Sequence, residues 1–167
     1  MKAILARHPD LIQHYLSVGE GQIFTLPTLS QTVLGSCVTV TFHCPRLELG
    51  GINHALMPVW RDYESRMSEN IRYKFVDSGI EGIYELLMDQ GARTAEIECK
   101  VFGGSTSDHI SQLSVAPKNV KTAFETLSRL KLRIVASHVG GRLGRKLFFL
   151  SNTGDVFVKS LTSLNGK

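Results

Sequence analysis

Two alternating runs joined by a short proline-containing connection constrain this chain more than any other feature of it. After Cys37 the residues alternate, with Val38, Val40 and Phe42 on one face of a strand and Cys37, Thr39 and Thr41 on the other. The second run places Gly50, Ile52, His54 and Leu56 on one side and Gly51, Asn53, Ala55 and Met57 on the other, and Pro58 stops it. His43-Cys44-Pro45-Arg46-Leu47-Glu48 lies between them, which predicts an antiparallel hairpin with His43 and Cys44 in its loop. With Arg46 and Leu47 at the apex, His54 falls opposite Thr39 and diagonal to Cys37, about 7–8 Å away at Cβ. A slip of one residue would turn His54 to the wrong face.

That register brings one thiol and one imidazole within reach of each other. A thiolate is the nucleophile, a free thiol is little ionised at neutral pH, and a neighbouring imidazole can take its proton. The same imidazole can then protonate a leaving amine and activate the water that cleaves the thioester. Gly35 and Ser36, just before Cys37, leave the sulfur open and their N–H groups free to meet an oxyanion. Against this stands a plainer reading, since free cysteines are commonly buried and a lone strand histidine is usually structural. A zinc site from Cys37, His43, Cys44 and His54 lacks the usual ligand spacing, so no metal is expected.

Several further motifs, in order and at matching spacing, resemble the CheD family of chemoreceptor glutamine deamidases. Tyr15-Leu16-Ser17-Val18-Gly19-Glu20 resembles its entry strand, Leu34-Gly35-Ser36-Cys37-Val38 its cysteine segment and residues 50–58 its histidine strand. Residues 100–105 resemble its glycine-rich turn, Asn119 the asparagine opening the next helix, residues 139–145 its late Gly-Gly-x-x-x-Arg motif and residues 152–155 its last hairpin turn. The resemblance covers about residues 14–161 of one domain spanning 1–167. It implies Cys37 as nucleophile, His54 as base and a nearby hydroxyl as third member, with Thr32 or its neighbour Gln31 in that place. Gly35, Ser36 and Asn53 are the candidates for oxyanion and substrate binding.

The resemblance further implies hydrolysis of receptor glutamine side chains to glutamate and ammonia without a cofactor, with receptor methylesterase activity through the same thioester. The implied partners are the cytoplasmic helices of methyl-accepting chemoreceptors and a CheC-type phosphatase. A non-catalytic adaptor that binds receptors or that phosphatase is the rival reading. A papain-like protease is weaker, because that class's asparagine partner and long downstream spacing are missing. Two stretches depart from the pattern: residues 114–119 replace a more usual Ile-Gly-x-Arg-Asn, and His138 stands where an aspartate is common.

The 167 residues carry a net charge of +4, but the nineteen basic residues are scattered and show no nucleic-acid motif. Lys118, Lys121, Arg129, Lys131 and Arg133 read as a solvated helix face, mildly favourable for an acidic receptor helix. Cys37, Cys44 and Cys99 make no paired framework, no apolar run is long enough to cross a bilayer, and the first twenty residues are no secretory signal. A cytoplasmic protein with no membrane insertion is expected. Gly103-Gly104 lacks a following phosphate-loop signature and reads as a tight turn.

Beyond the hairpin, residues 60–70 read as a loop near the site. Helices are expected over 73–90, stopped by Gly91, and from Pro117 with Val120, Phe124, Leu127 and Leu130 as its stripe. Strands are expected near 94–102, 132–138, 146–150 and 156–161, with Cys99 a packed core thiol. The predicted fold is α/β, a single domain with a mixed β-sheet and two main helices packed on it, which the resemblance sharpens to a layered sandwich.

Overall fold

The computed structural model describes residues 2–62, 69–106 and 115–162. In chain order the elements are α1 (Lys2–Arg7), β1 (Ile12–Tyr15), β2 (Gly21–Phe24), β3 (Thr28–Leu34), β4 (Val38–Cys44) and β5 (Leu49–Ala55). They continue with α2 (Val76–Asp89), β6 (Glu98–Gly103), α3 (Ala116–Arg129), β7 (Arg133–Val139), β8 (Arg145–Leu150) and β9 (Val156–Ser160).

The strands form two sheets where a single one was expected. One runs in the order β1-β3-β8-β9 and the other β2-β5-β4-β6-β7. Both are mixed, with parallel pairs β1–β3 and β6–β7, the latter joined across α3. The β4–β5 hairpin has the predicted register, Thr39 opposite His54 and Val40 opposite Asn53. Pro45–Leu47 forms a single 3₁₀ turn at its apex, closed by Glu48 in the left-handed region. His43 and Cys44, expected in the loop, are instead the last two residues of β4 and are buried.

Alternation along β4 divides the core. Val38, Val40 and Phe42 face the helices and pack with Val76, Ile80 and Ile83 of α2 and with Ala123 and Leu127 of α3. On the other face the two sheets meet over Leu16, Phe24, Leu34, Ile52, Phe102, Leu147 and Phe149, and Cys37 belongs to this layer. Beyond it, α1 and Leu11 cover Leu29, Phe148 and Leu150 on the outer side of the first sheet. Every residue of β4 and of β5 is buried, because a helix layer closes one face and a second sheet the other. Cys99 is a fully buried core thiol, as expected.

Helix α2 starts three residues later than expected, after a 3₁₀ segment over Glu69–Lys74, and β6 starts later because Thr94–Glu96 is also a 3₁₀ turn. Residues 16–20, read as part of an entry strand, instead link β1 to β2. Of the 60–70 stretch, residues 63–68 lie outside the described residues, as does Ser114. Three of the five grouped basic residues make exposed ion pairs, Lys121 with Glu125, Arg129 with Glu81 and Arg133 with Glu98. Each such pair adds little stability. Among the described residues no helix is long and apolar enough to cross a membrane.

Candidate active site

The chain passes from the first sheet to the second at Gly35-Ser36-Cys37, between the end of β3 and the start of β4. Cys37 therefore precedes the strand instead of opening its polar face, and its side chain enters the layer between the sheets, 9% exposed. Thr32 comes to the same layer from β3 and His54 from β5, so the three groups span both sheets.

Thr32 is joined directly to His54, with Oγ1 2.8 Å from Nδ1. The same hydroxyl lies 2.8 Å from the Leu16 carbonyl, which can only accept. The threonine proton thus goes to Leu16, and Nδ1–H donates to Thr32 Oγ1. This assigns the tautomer that leaves Nε2 with a free lone pair. Nε2 is buried and has no hydrogen-bond partner among the described residues. Gln31, the other candidate for the third position, points away from the Thr32 face, as its place in the strand requires.

Asn53 does not join the site. Strand alternation sends it to the face opposite His54, where its Oδ1 accepts from the Val40 N–H at 3.0 Å and its amide lies beside Gly79 of α2. It is a buried core amide, so a substrate-binding role is not supported by its position.

The backbone around Cys37 is held from three directions. Ser105 N–H donates to the Gly35 carbonyl at 2.9 Å and Gly104 N–H to the Cys37 carbonyl at 2.8 Å. Between them, Asn119 Nδ2 donates to the Ser36 carbonyl at 3.1 Å and also to the Leu56 carbonyl at 2.9 Å. These ties were not legible in local spacing, because Asn119 is 83 residues from Ser36. The glycine pair Gly103-Gly104, read as a tight turn, also serves close backbone approach to the Cys37 carbonyl. The late Gly-Gly-x-x-x-Arg motif has a structural use as well: buried Arg145 donates to the carbonyls of His138 and Gly140, tying the end of β7 to β8.

Burial sets the charge state. It pushes the Cys37 thiol up, partly opposed by the residue's own N–H beside the sulfur. It lowers the His54 imidazole to about 4, opposed by the Leu16 carbonyl and the Glu20 carboxylate. Both groups rest neutral near pH 7, a thiol and a free imidazole base in the same layer between the sheets. The shift is also a statement about stability: the unfolded chain binds a proton at this histidine below about 6.5, the folded chain only below about 4. Its contribution is complete above 6.5 and is lost as pH falls through that window, about 3 kcal/mol in all. Urea unfolding at pH 7 and 4.5 should show a steeper loss of stability for wild type than for His54→Gln. Equal losses would refute the buried neutral imidazole.

Fold and site together define a layered α/β protein holding a thiol, an imidazole and a hydroxyl between two sheets, the equipment of a cysteine hydrolase. The family model described as CheD chemotactic sensory transduction matches residues 56–160, and the chain belongs to that family. Curated relatives extend the match across the site. A probable chemoreceptor glutamine deamidase CheD of Oleidesulfovibrio alaskensis is 40% identical over 89% of this chain and 73% of its own. A second, from Geobacter sulfurreducens, is 39% identical over 93% of this chain and 94% of its own. A solved structure titled hypothetical protein YfiH, from Bacillus licheniformis, aligns with TM-score 0.46 and 15% identity over 77% of this chain and 59% of that one.

Proposed function

We propose that this chain hydrolyses glutamine side chains of chemoreceptors to glutamate and ammonia, with Cys37 as nucleophile, His54 as general base and acid, and Thr32 orienting the imidazole. The observation that carries the reading is the Leu16–Thr32–His54 hydrogen-bond chain, which leaves Nε2 as a buried free base in the layer that Cys37 enters. The names of the curated relatives support the substrate class.

As Cys37 Sγ attacks the carboxamide carbon, its proton passes to His54 Nε2, and the carbonyl oxygen becomes an oxyanion facing backbone N–H groups of the 35–37 loop. The imidazolium gives that proton to the amide nitrogen, the C–N bond breaks and ammonia leaves a thioester on Cys37. Water then adds to the thioester as His54 takes its proton, and collapse releases glutamate and returns the proton to sulfur. Each step uses a proton already present, and no cofactor enters. We place the reaction in the cytoplasm at receptor helices, with a CheC-type phosphatase as a second partner.

The test is peptide mass spectrometry of receptor cytoplasmic fragments after incubation with the wild-type protein. Glutamine-to-glutamate conversion at defined positions is expected; none across the host's receptors would overturn the reading. Thr32→Val, which removes the acceptor for Nδ1–H, should lower kcat about 10–100-fold, while Thr32→Ser restores most of it. A valine variant at the wild-type rate would remove Thr32 from the site.

A further inference from the structure

Asn119 is fully buried at the start of α3, where a polar side chain needs a reason to be. Both of its N–H groups are used, one on Ser36 and one on Leu56. Its Oδ1 is buried without a partner among the described residues. Flipping the amide would set that oxygen against two carbonyl oxygens, so the observed orientation is the only one that bonds.

The Ser36 carbonyl and the Cys37 N–H belong to one peptide unit. In a trans peptide, the geometry found throughout the described residues, the two point in opposite directions. Drawing the carbonyl toward α3 therefore turns the N–H away from the helices, toward the sulfur between the sheets. No carbonyl among the described residues accepts from Cys37 N–H or from Ser36 N–H.

We infer that Asn119 is a positioning residue for the oxyanion: by holding the Ser36 carbonyl it aims the Cys37 N–H at the oxygen of the carbonyl under attack. Its second bond, to Leu56, fixes the end of the strand that carries His54 two residues earlier. One side chain thereby ties the donor to the base. This inference rests on the proposed deamidation and goes beyond it by assigning the oxyanion donor and what orients it.

The test separates oxyanion stabilisation from placement of the thiol. Asn119→Ala should lower kcat on receptor fragments about 100-fold or more with KM little changed. Alkylation of Cys37 by iodoacetamide, followed by peptide mass spectrometry, should keep its wild-type rate, because displacement of iodide creates no oxyanion. An unchanged kcat overturns the inference, and so does alkylation that changes in step with kcat, which would make Asn119 a support of the thiol. Asn119→Ser keeps a single donor and should give an intermediate kcat; it decides by the same two readouts where the alanine variant does not fold. Wild-type protein without turnover would overturn the deamidase reading, and this inference with it.

Discussion

Replacing Cys37 by alanine should abolish conversion of receptor glutamine to glutamate, a loss of at least about 10⁴-fold. No other thiol can take over. Cys99 is fully buried in the core, and Cys44 is held beneath the Arg46–Glu96 pair with its Sγ 3.4 Å from Glu96. Both of those sulfurs are closed off from solvent, so neither can meet a substrate carbonyl. Cys37→Ser should fail nearly as completely. An imidazole lowered to about 4 is a weak base, adequate for a thiol whose bond to carbon is already forming but not for a hydroxyl. The alanine variant should still fold, since the change removes one small group from the layer between the sheets. Circular dichroism and receptor-fragment binding check that point. Conversion that persists in folded Cys37→Ala would place the nucleophile elsewhere and end the thioester mechanism.

The hairpin was legible because two physical constraints agree. A period of two fixes which residues share a face, and a proline-led connection of few residues fixes the register, so alternation and loop length alone set Thr39 against His54. The same alternation separates Asn53 from His54, and adjacency in sequence to the histidine is therefore no ground for placing Asn53 in the site. The division into two sheets was not legible. A strand buried on both faces, as β4 is, looks the same in sequence whether helices or a second sheet cover its other side. Strand β3 was obscured by its own contents, since Thr28, Ser30 and Thr32 are polar yet buried, and Thr28 and Thr32 bond to other segments. Thr28 N–H meets Ser151 Oγ, and Thr32 bridges Leu16 to His54. Thr32 could be picked out only through family resemblance, because its partners lie 16 and 22 residues away. Asn119 shows the limit most clearly. Its identity was visible in a motif, while its work depends on three segments that meet only in the folded chain.

Gly103→Ala should combine a large loss of stability with a loss of activity in the molecules that remain folded. Gly103 ends β6 at φ +109, a conformation that side chains rarely adopt, and a Cβ there would lie 2.1 Å from the Cys37 carbonyl oxygen. The next nearest atoms, at 3.2 Å, are also backbone, belonging to Cys37 and Val38. No flexible side chain can give way, so relief requires the Cys37 loop or the start of β4 to move. Either movement strains the Gly104 bond to the Cys37 carbonyl and the bond from Gly140 N–H to the Gly103 carbonyl, which joins this turn to the one held by Arg145. A cost of about 3 kcal/mol or more follows, lowering the thermal midpoint by roughly 6–12 °C for a chain of this size. Gly141→Ala is the matched control. It carries φ +79 but meets nothing within 4 Å, so only conformational strain of about 1–2 kcal/mol applies and turnover should survive. Equal midpoints for the two variants would mean that β6 approaches the Cys37 carbonyl loosely enough to admit a methyl group. The Cys37 loop would then owe its position to its hydrogen bonds with Gly104, Ser105 and Asn119, not to the close approach of Gly103.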